Sequence, residues 1–588
     1  MKSNMSSDNL FPQEFSARTR ELSIENFKTL EYDLLIIGGG ITGAGVACVA
    51  TEKGMKTALL EMNDFASGTS SKSSKLLHGG VRYLEQMKFK LVFESLKDRN
   101  DLFKNIPQIA KPVAFIAPVY DTYKETVMLM NLGLSLYDLL SYTSGNMVTK
   151  LHKFLTGKSL TWFEPNIRQR GLKGGIHYFD GFCNDARLTF ENIKTAHAKG
   201  ADIANYIKIT AFEKDNNGKV TSAFAKDLIS GESFKIKSKV ILNASGPWLD
   251  SVNHFDNRKS ENKLKPTKGV HIIVPKLTEN NALLLKTPTE PVRWVFIIPY
   301  GEYSLVGTTD TESKTPENDH SYLDKDNYAT KEEIEYLLKT ANHYYPYAKL
   351  EQKDIISSFG GWRPLIAPPK NKKLKESDIS REHEIFETDS GIVCIAGGKL
   401  TTYVSMAKQI VSYIVNKKLK EFKGKSDNYP VMLSWNTTMS LTEYIQQEQS
   451  QFKTEDKEII SYLINKYGTE YKKVLGIMQS SDFMKERIEN LSNDAICYRA
   501  EIMYFVYYES CLSLKDIMLR RTRIILQDIN QGTKAVSEIA ELMACCMADI
   551  YSWDNEYKER WLSGQLRDYD REIEKTNSGI LKTTLVSK

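Results

Sequence analysis

Between residues 32 and about 415, short apolar runs bounded by Gly, Pro, Asn and Ser alternate with stretches whose apolar residues recur at helical spacing. That order predicts α/β architecture, because helices must cover the faces of a largely parallel sheet. Residues 1–31 mix charge and polarity throughout and predict a polar N-terminal extension. The stretch NKKLKEFKGKSDN at 416–428 is lysine-rich and reads as a linker. Beyond it the apolar residues fall at helical spacing, as in AICYRAEIMYFVYYES and VSEIAELMACCMADIYSW, so residues 429–575 predict a C-terminal helical domain. A further helical pattern, TVMLMNLGLSLYDLLSY at 126–142, is expected to turn its Leu, Met and Tyr side chains to a core rather than to lipid.

At 588 residues the chain is longer than one hydrophobic core supports, and about three domains are expected. Apolar residues at 41% and charged residues at 26% match ordinary globular usage, which excludes a disordered chain. Lys and Arg total 79 against 74 Asp and Glu, and this net charge of +5 is too small for a dedicated nucleic-acid binder. It suits an anionic metabolite or an anionic membrane surface. The 7 cysteines form no CxxC pair, so neither a disulfide framework nor a metal site is read, and a reducing compartment is expected. No secretory signal is read at the N-terminus. The most apolar window, residues 34–50, is broken by glycines and flanked by Asp33 and Glu52, so no spanning helix is expected.

Residues 32–61, YDLLIIGGGITGAGVACVATEKGMKTALLE, give an apolar strand, Gly38-x-Gly40-x-x-Gly43, a small-residue helix and a strand ending at Glu61. The first glycine makes the turn, the second lets backbone N–H groups approach a pyrophosphate, and the third lets helix and strand pack closely. Glu61 stands where a carboxylate can accept from ribose hydroxyls. The next segment, MNDFASGTSSKSSKLLHGG, offers small and hydroxyl residues from Ala66 to Ser74, including Thr69 and Ser70, against which a longer cofactor can lie. Two later strands end in similar turns, VILNASGPW with Gly246 and GIVCIAGGKLTTY with Gly397 and Gly398. The second is expected to open a helix at Thr401, whose positive end would stabilise an anionic reduced flavin.

These motifs, with NDARL, KPTKGVHIIVP, VGTTDTE, GGWRPL and ISRE, occur in the order and approximate spacing of FAD-dependent glycerol-3-phosphate dehydrogenases and the related α-glycerophosphate oxidases. The chain resembles that family over residues 16–415, and AEIMYFVYYESCLSLKDIMLRRTR resembles its C-terminal helical domain. Gln108 stands where the family usually has a histidine, and Trp362 where it has Leu or Val.

The resemblance implies a discontinuous FAD-binding Rossmann-like domain (32–84, 180–250 and 354–415) and an antiparallel-sheet substrate domain (85–179 and 251–353). It implies FAD contacts from Gly38, Gly39, Gly40, Gly43, Glu61, Thr69, Ser70, Ser74, Lys75, Leu76, His78, Gly246, Gly398, Leu400 and Thr401. Arg82, Tyr83 and Arg381 would bind the substrate, sn-glycerol 3-phosphate, while His271, Arg363 and Lys399 would carry the chemistry. His271, with a reference pKa of about 6.5, is the expected proton acceptor. Arginine suits the phosphate because its planar fork meets two oxygens. Asn184, Asp185 and Arg187 are expected to form a network beneath the site.

The implied reaction passes electrons to a quinone at the inner face of the cell membrane, from a cytoplasmic, peripherally attached protein. An oxidase that gives electrons to dioxygen shares nearly every motif, although only 17 residues separate Arg363 from Arg381 and some oxidases carry a long insertion there. A non-enzymatic flavin-binding scaffold is the distant alternative. A homodimer is left open.

Overall fold

The apolar run at the start of the glycine motif becomes strand Glu31–Ile37, buried along most of its length. Helix Ile41–Glu52 returns the chain to the parallel strand Thr57–Leu60, with Ile37 opposite Leu60. This helix is apolar on all sides because it is covered on all sides, lying between helices Asp185–Ala198 and Tyr403–Lys417. A computed structural model describes residues 14–80, 87–123, 127–145, 149–290, 292–312, 319–325, 327–368, 383–426 and 428–580.

The first sheet runs in the order His383–Glu387, Val393–Gly397, Ser233–Asn243, Glu31–Ile37, Thr57–Leu60, Asp202–Ala204. The last five of these strands are parallel. Strand Val220–Asp227 extends it by antiparallel pairing with Ser233–Asn243, and Ile207–Lys214 pairs antiparallel with Val220–Asp227 in turn. Chain order reverses at Glu31–Ile37, which lies between Thr57–Leu60 and Ser233–Asn243, so a crevice opens at the carboxyl ends of these strands.

The second sheet is antiparallel at every pairing except that of Asn281–Lys286 with Ala110–Tyr120. Strand Leu172–Cys183 continues this sheet past residue 179. Strand Ser357–Arg363, expected in the FAD-binding part, pairs instead with Thr267–Ile273 of the second sheet. The sheet takes up these segments because their ladders continue unbroken.

Three further elements differ from expectation. The polar lead-in contains helix Ala17–Thr29, opened by a Ser16 capping box and packed on the first sheet through buried Ile24 and Phe27. Its Arg20 reaches Asp227 in a buried pair at 2.5 Å. Helix Val127–Thr143 buries Leu134, Tyr137 and Ser141 but leaves Met128 84%, Leu132 69%, Leu139 57% and Tyr142 72% exposed, so only one face turns to the core. The helix expected at Thr401 begins at Tyr403, with Thr401 buried in the preceding turn.

The C-terminal helices, from Leu441–Gln449 to Asn555–Asn577, share an aromatic core that includes Tyr467, Tyr504, Phe505 and Tyr569. This region meets the first sheet's helices through buried ion pairs, Arg187 with Glu509 and Lys194 with Glu470.

Because Phe27 is fully buried against Tyr32 and Phe234, Phe27→Ala should lower stability by about 3–5 kcal/mol, seen as a fall in melting temperature. An unchanged melting temperature would show that the N-terminal helix is not part of the fold's core.

Candidate functional site

Parallel register carries three glycine turns to one edge of the first sheet: Gly38–Gly40 follows Ile37, Ala244–Gly246 follows Asn243, and Gly397–Gly398 ends the strand beyond. They border a cavity of about 390 Å³. Gly38, with φ +113°, lies so close to Ala244 that a Cβ would stand 2.6 Å from its carbonyl oxygen. A Cβ on Gly40 would meet only the Ser70 hydroxyl within 4 Å, at 3.1 Å, which leaves the backbone open to a close-approaching ligand. On Gly43 it would stand 1.9 Å from the Gly38 carbonyl oxygen, so this glycine serves helix–strand packing.

Ser70 Oγ accepts from the Ile41 N–H at 2.9 Å, at the helix end where a pyrophosphate would be received. Glu61 accepts from the Gly39 N–H at 2.7 Å and the Asn63 N–H at 2.8 Å, and burial pushes its pKa up. Gly39 itself faces Glu61 and Phe65 rather than the cavity. An open glycine, a helix N-terminus and a carboxylate at the end of the second strand together fit the diphosphate and ribose of FAD.

Thr69, Ser70, Gly246, Gly398, Lys399 and Leu400 line the same cavity. Thr69 donates to the Trp362 carbonyl at 2.6 Å, which ties the hydroxyl-rich loop to the second sheet. Leu76 is buried in a short strand opposite Phe182, and Lys75 turns inward to Asp185 at 3.2 Å. Burial, aided by Arg523, brings the Lys75 pKa down to about 8. The His78 N–H donates to Thr401 Oγ1 at 3.1 Å, joining the loop to the turn before helix Tyr403–Lys417.

At the reacting end, His271 stands on strand Thr267–Pro275 opposite both Gly307 and Phe359. Its ring stacks on Phe359 at 4.9 Å, and a Cβ at 307 would lie 2.1 Å from it, so only glycine leaves the ring its place. Nε2 and Ser74 Oγ are hydrogen-bonded at 2.8 Å, while Nδ1 is buried without a hydrogen-bond partner among the described residues. Burial, then the charges of Arg363 and Lys75, hold the imidazole well below its usual pKa, against a smaller opposing pull from Asp185. The ring is therefore neutral at pH 7.

Arg363 ends strand Ser357–Arg363, pairs with Asp310 at 3.0 Å and donates to Thr308 Oγ1 at 2.8 Å. Its neighbour Pro364 lines the nucleotide cavity. His271, Ser74 and Arg363 are thus gathered beside the cofactor pocket. Arg82, Tyr83 and Arg381 lie outside the described residues, as does the lysine run at 370–375.

Three participants, Asp310, Phe359 and Arg523, escape a reading of the sequence. Asp310, which aims Arg363, sits inside VGTTDTE, and its signal was the need of a partly buried arginine for a carboxylate. Phe359 precedes GGWRPL by a single residue and carries no polar cue. Asp185 and Arg523 meet across 338 positions, which no local pattern reveals. Asn184 caps helix Asp185–Ala198 by accepting from the Arg187 N–H, and Arg187 pairs with Glu509. Gln108 donates to Ser434 at 3.0 Å, and Trp362 packs edge-on against Tyr322 at 4.8 Å.

Residues 33–406 match the family described as FAD dependent oxidoreductase, and residues 427–558 match the C-terminal domain of alpha-glycerophosphate oxidase. An aerobic glycerol-3-phosphate dehydrogenase of Staphylococcus epidermidis is 33% identical over 554 residues, covering 91% of this chain and 94% of that protein. Its namesake from Staphylococcus aureus is 33% identical over 566 residues, covering 94% and 96%. The solved glycerol-3-phosphate dehydrogenase of Bacillus halodurans, complexed with FAD, is similar at a TM-score of 0.73 and 28% identity, covering 97% of this chain and 99% of that one. An L-alpha-glycerophosphate oxidase from Mycoplasma pneumoniae, at 18% identity and a TM-score of 0.51, covers 68% of this chain and 98% of its own and shares the fold alone. With its glycine cradle and a match running from the first strand into helix Tyr403–Lys417, the chain belongs to the FAD-dependent oxidoreductase family.

Proposed function

We propose that this chain oxidises sn-glycerol 3-phosphate at C2 to dihydroxyacetone phosphate and passes the electrons to a membrane quinone. The observation that carries the reading is a buried, neutral imidazole, His271, beside a charged Arg363 at the edge of the nucleotide pocket. The names of the relatives support the same substrate. FAD, held by the glycine turns at Gly38–Gly40, Gly246 and Gly397–Gly398, would supply the acceptor for the C2 hydrogen as hydride. His271 takes the hydroxyl proton at Nδ1, which requires the tautomer whose Nε2–H donates to Ser74 Oγ. Arg363, aimed by Asp310 and Thr308, stabilises the developing alkoxide, and with Lys399, Arg82 and Arg381 it gives the anionic substrate a cationic seat to which Tyr83 adds a hydroxyl donor.

A docking surface for lipid is supported by the outer face of helix Val127–Thr143. Met128, Leu132, Leu139 and Tyr142 recur there at helical spacing. His152 bonds Asp138 at 2.7 Å and Asn131 at 3.0 Å, which brings the next segment alongside. That segment adds exposed Leu151, Phe154 and Trp162 and exposed Lys150, Lys153 and Lys158. Apolar side chains interleaved with lysines suit an anionic bilayer surface. Among the described residues no helix is long and apolar enough to cross a membrane.

Anaerobic addition of sn-glycerol 3-phosphate should bleach the flavin and yield dihydroxyacetone phosphate. His271→Ala should slow the bleaching by about 10²- to 10⁴-fold. Because the imidazole is held below its usual pKa by burial, Arg363 and Lys75, the wild-type rate should stay level as pH falls past about 6.5 and decline only in more acid solution. A wild-type rate in His271→Ala would assign the proton to another group.

Arg363→Lys keeps the charge but cannot hold Asp310 and Thr308 together, so the substrate concentration for half-maximal reduction should rise at least about tenfold with FAD retained. Unchanged kinetics would remove Arg363 from the substrate seat.

Sedimentation with anionic liposomes should capture the protein at low salt and release it at high salt, and the double variant Leu132→Glu, Trp162→Glu should stay in solution. A wild-type protein that never sediments and reduces oxygen as readily as a quinone would make the oxidase the better reading.

A further inference from the structure

The turn Ile517–Arg523 has no part in the reaction just described, and three of its arginines are buried in the seam with the cofactor loop. The arginines stand on a π-helical turn, Ile517–Arg521, followed by Arg523 in the left-handed region at φ +62°. Arg520 Nε bonds Asp64 at 2.5 Å and Arg521 Nη2 bonds the same carboxylate at 3.0 Å. Arg523 bonds Asp185 Oδ1. Asp64 and Asp185 hold the two ends of the hydroxyl-rich loop. Asp64 lies within it, and Asp185 receives the Ser73 hydroxyl at 2.6 Å, the Ser73 N–H at 3.2 Å and the Lys75 ammonium at 3.2 Å. Between Ser73 and Lys75 stands Ser74, whose hydroxyl meets His271.

We propose that Arg523 is a positioning residue for the proton acceptor: through Asp185 and the Ser73–Lys75 segment it sets the Ser74–His271 hydrogen bond, so that the C-terminal helical region is a working part of the active site. This rests on the reading of His271 as the proton acceptor. Arg523 and Asp185 are buried, at 4% and 0% exposure, so no water replaces the partner Asp185 would lose, while Ser73 and Ser74 are half-buried. Without Arg523, Lys75 is the one cation left bonded to Asp185 among the described residues, and Lys75 itself sits in the left-handed region at φ +61°. A shift of about 1 Å in such a loop breaks a hydrogen bond and misplaces the base, a displacement that costs up to about 10²-fold in rate.

The test measures the flavin-reduction rate constant at saturating sn-glycerol 3-phosphate, FAD content and substrate affinity in the holoenzyme. Arg523→Gln should retain FAD and substrate affinity while reducing about 10- to 100-fold more slowly, and Arg523→Lys, which keeps a cation for Asp185, should recover most of the rate. In a Ser74→Ala background, Arg523→Gln should add no further loss, because the bond it sets is already absent. A wild-type rate in Arg523→Gln, or an equal loss with and without Ser74, overturns the proposal. If Arg523→Gln does not fold, Ser73→Ala cuts the same path away from the seam, and a wild-type rate there overturns it as well. A wild-type rate in His271→Ala removes the underlying reading and the proposal with it, whereas a slow His271→Ala beside a fast Arg523→Gln removes the proposal alone.

Discussion

A carboxylate taken out of water must find a cation, and Asp64 and Asp185 find theirs 457 and 338 positions further along the chain. Burial alone would raise both pKa values, but Arg521 and Arg520 outweigh it at Asp64, as Lys75 and Arg523 do at Asp185, and both carboxyls stay below the usual carboxylate range. Such pairs add little net stability over well-packed apolar residues, yet losing one partner costs about 3–5 kcal/mol. These pairs tie the cofactor loop to the C-terminal helices. Arg187–Glu509 and Lys194–Glu470 apply the same rule along the helix that Asp185 opens.

The same economy of charge explains the imidazole. His271 lies in a layer where a charged ring would be poorly solvated and would face Arg363 and Lys75. On the reading proposed above, the cations that lower the His271 pKa would also suit an anionic substrate, so substrate attraction and proton acceptance would be compatible in one small volume. Packing completes the arrangement. Gly307 gives the ring room on one strand and Phe359 stacks on it from the other, so its orientation is set by antiparallel register.

The chain's local physics made part of this legible. The α/β alternation, the helical tail and the strand–turn–helix–strand motif each follow from periodicity and glycine placement within 30 or so residues. What stayed hidden depends on distance. Strand Ser357–Arg363 reads like any other apolar segment near a glycine turn, and only pairing with Thr267–Ile273 assigns it to the second sheet. The partners of Arg521 and Arg523 in LRRTR, Asp64 and Asp185, are likewise hidden because they lie 457 and 338 positions away. The polar lead-in contains a helix for a similar reason: Arg20 is tolerable there only because Asp227 receives it. Lys75, read as a cofactor contact, turns inward to Asp185, which local sequence also conceals.

Helix Val127–Thr143 shows how one element serves two surroundings. Its inner face carries Tyr137, which donates to Asp180 at 2.9 Å and accepts the Gly79 N–H at 2.9 Å. Arg99 pairs with the same Asp180 at 2.7 Å, so this attachment is buried and fully partnered. Gly79 follows His78, whose N–H is tied to Thr401 in the turn behind the flavin-side cavity wall. The outer face of the helix carries the apolar stripe flanked by lysines. The exposed apolar stripe proposed to meet lipid and the segment that leads into the cofactor site are therefore joined through one buried tyrosine. On the reading proposed above, an enzyme reducing a lipid-soluble acceptor would keep its redox centre near the bilayer, and this buried link would tie the docking face to the cofactor loop without the helix entering the membrane.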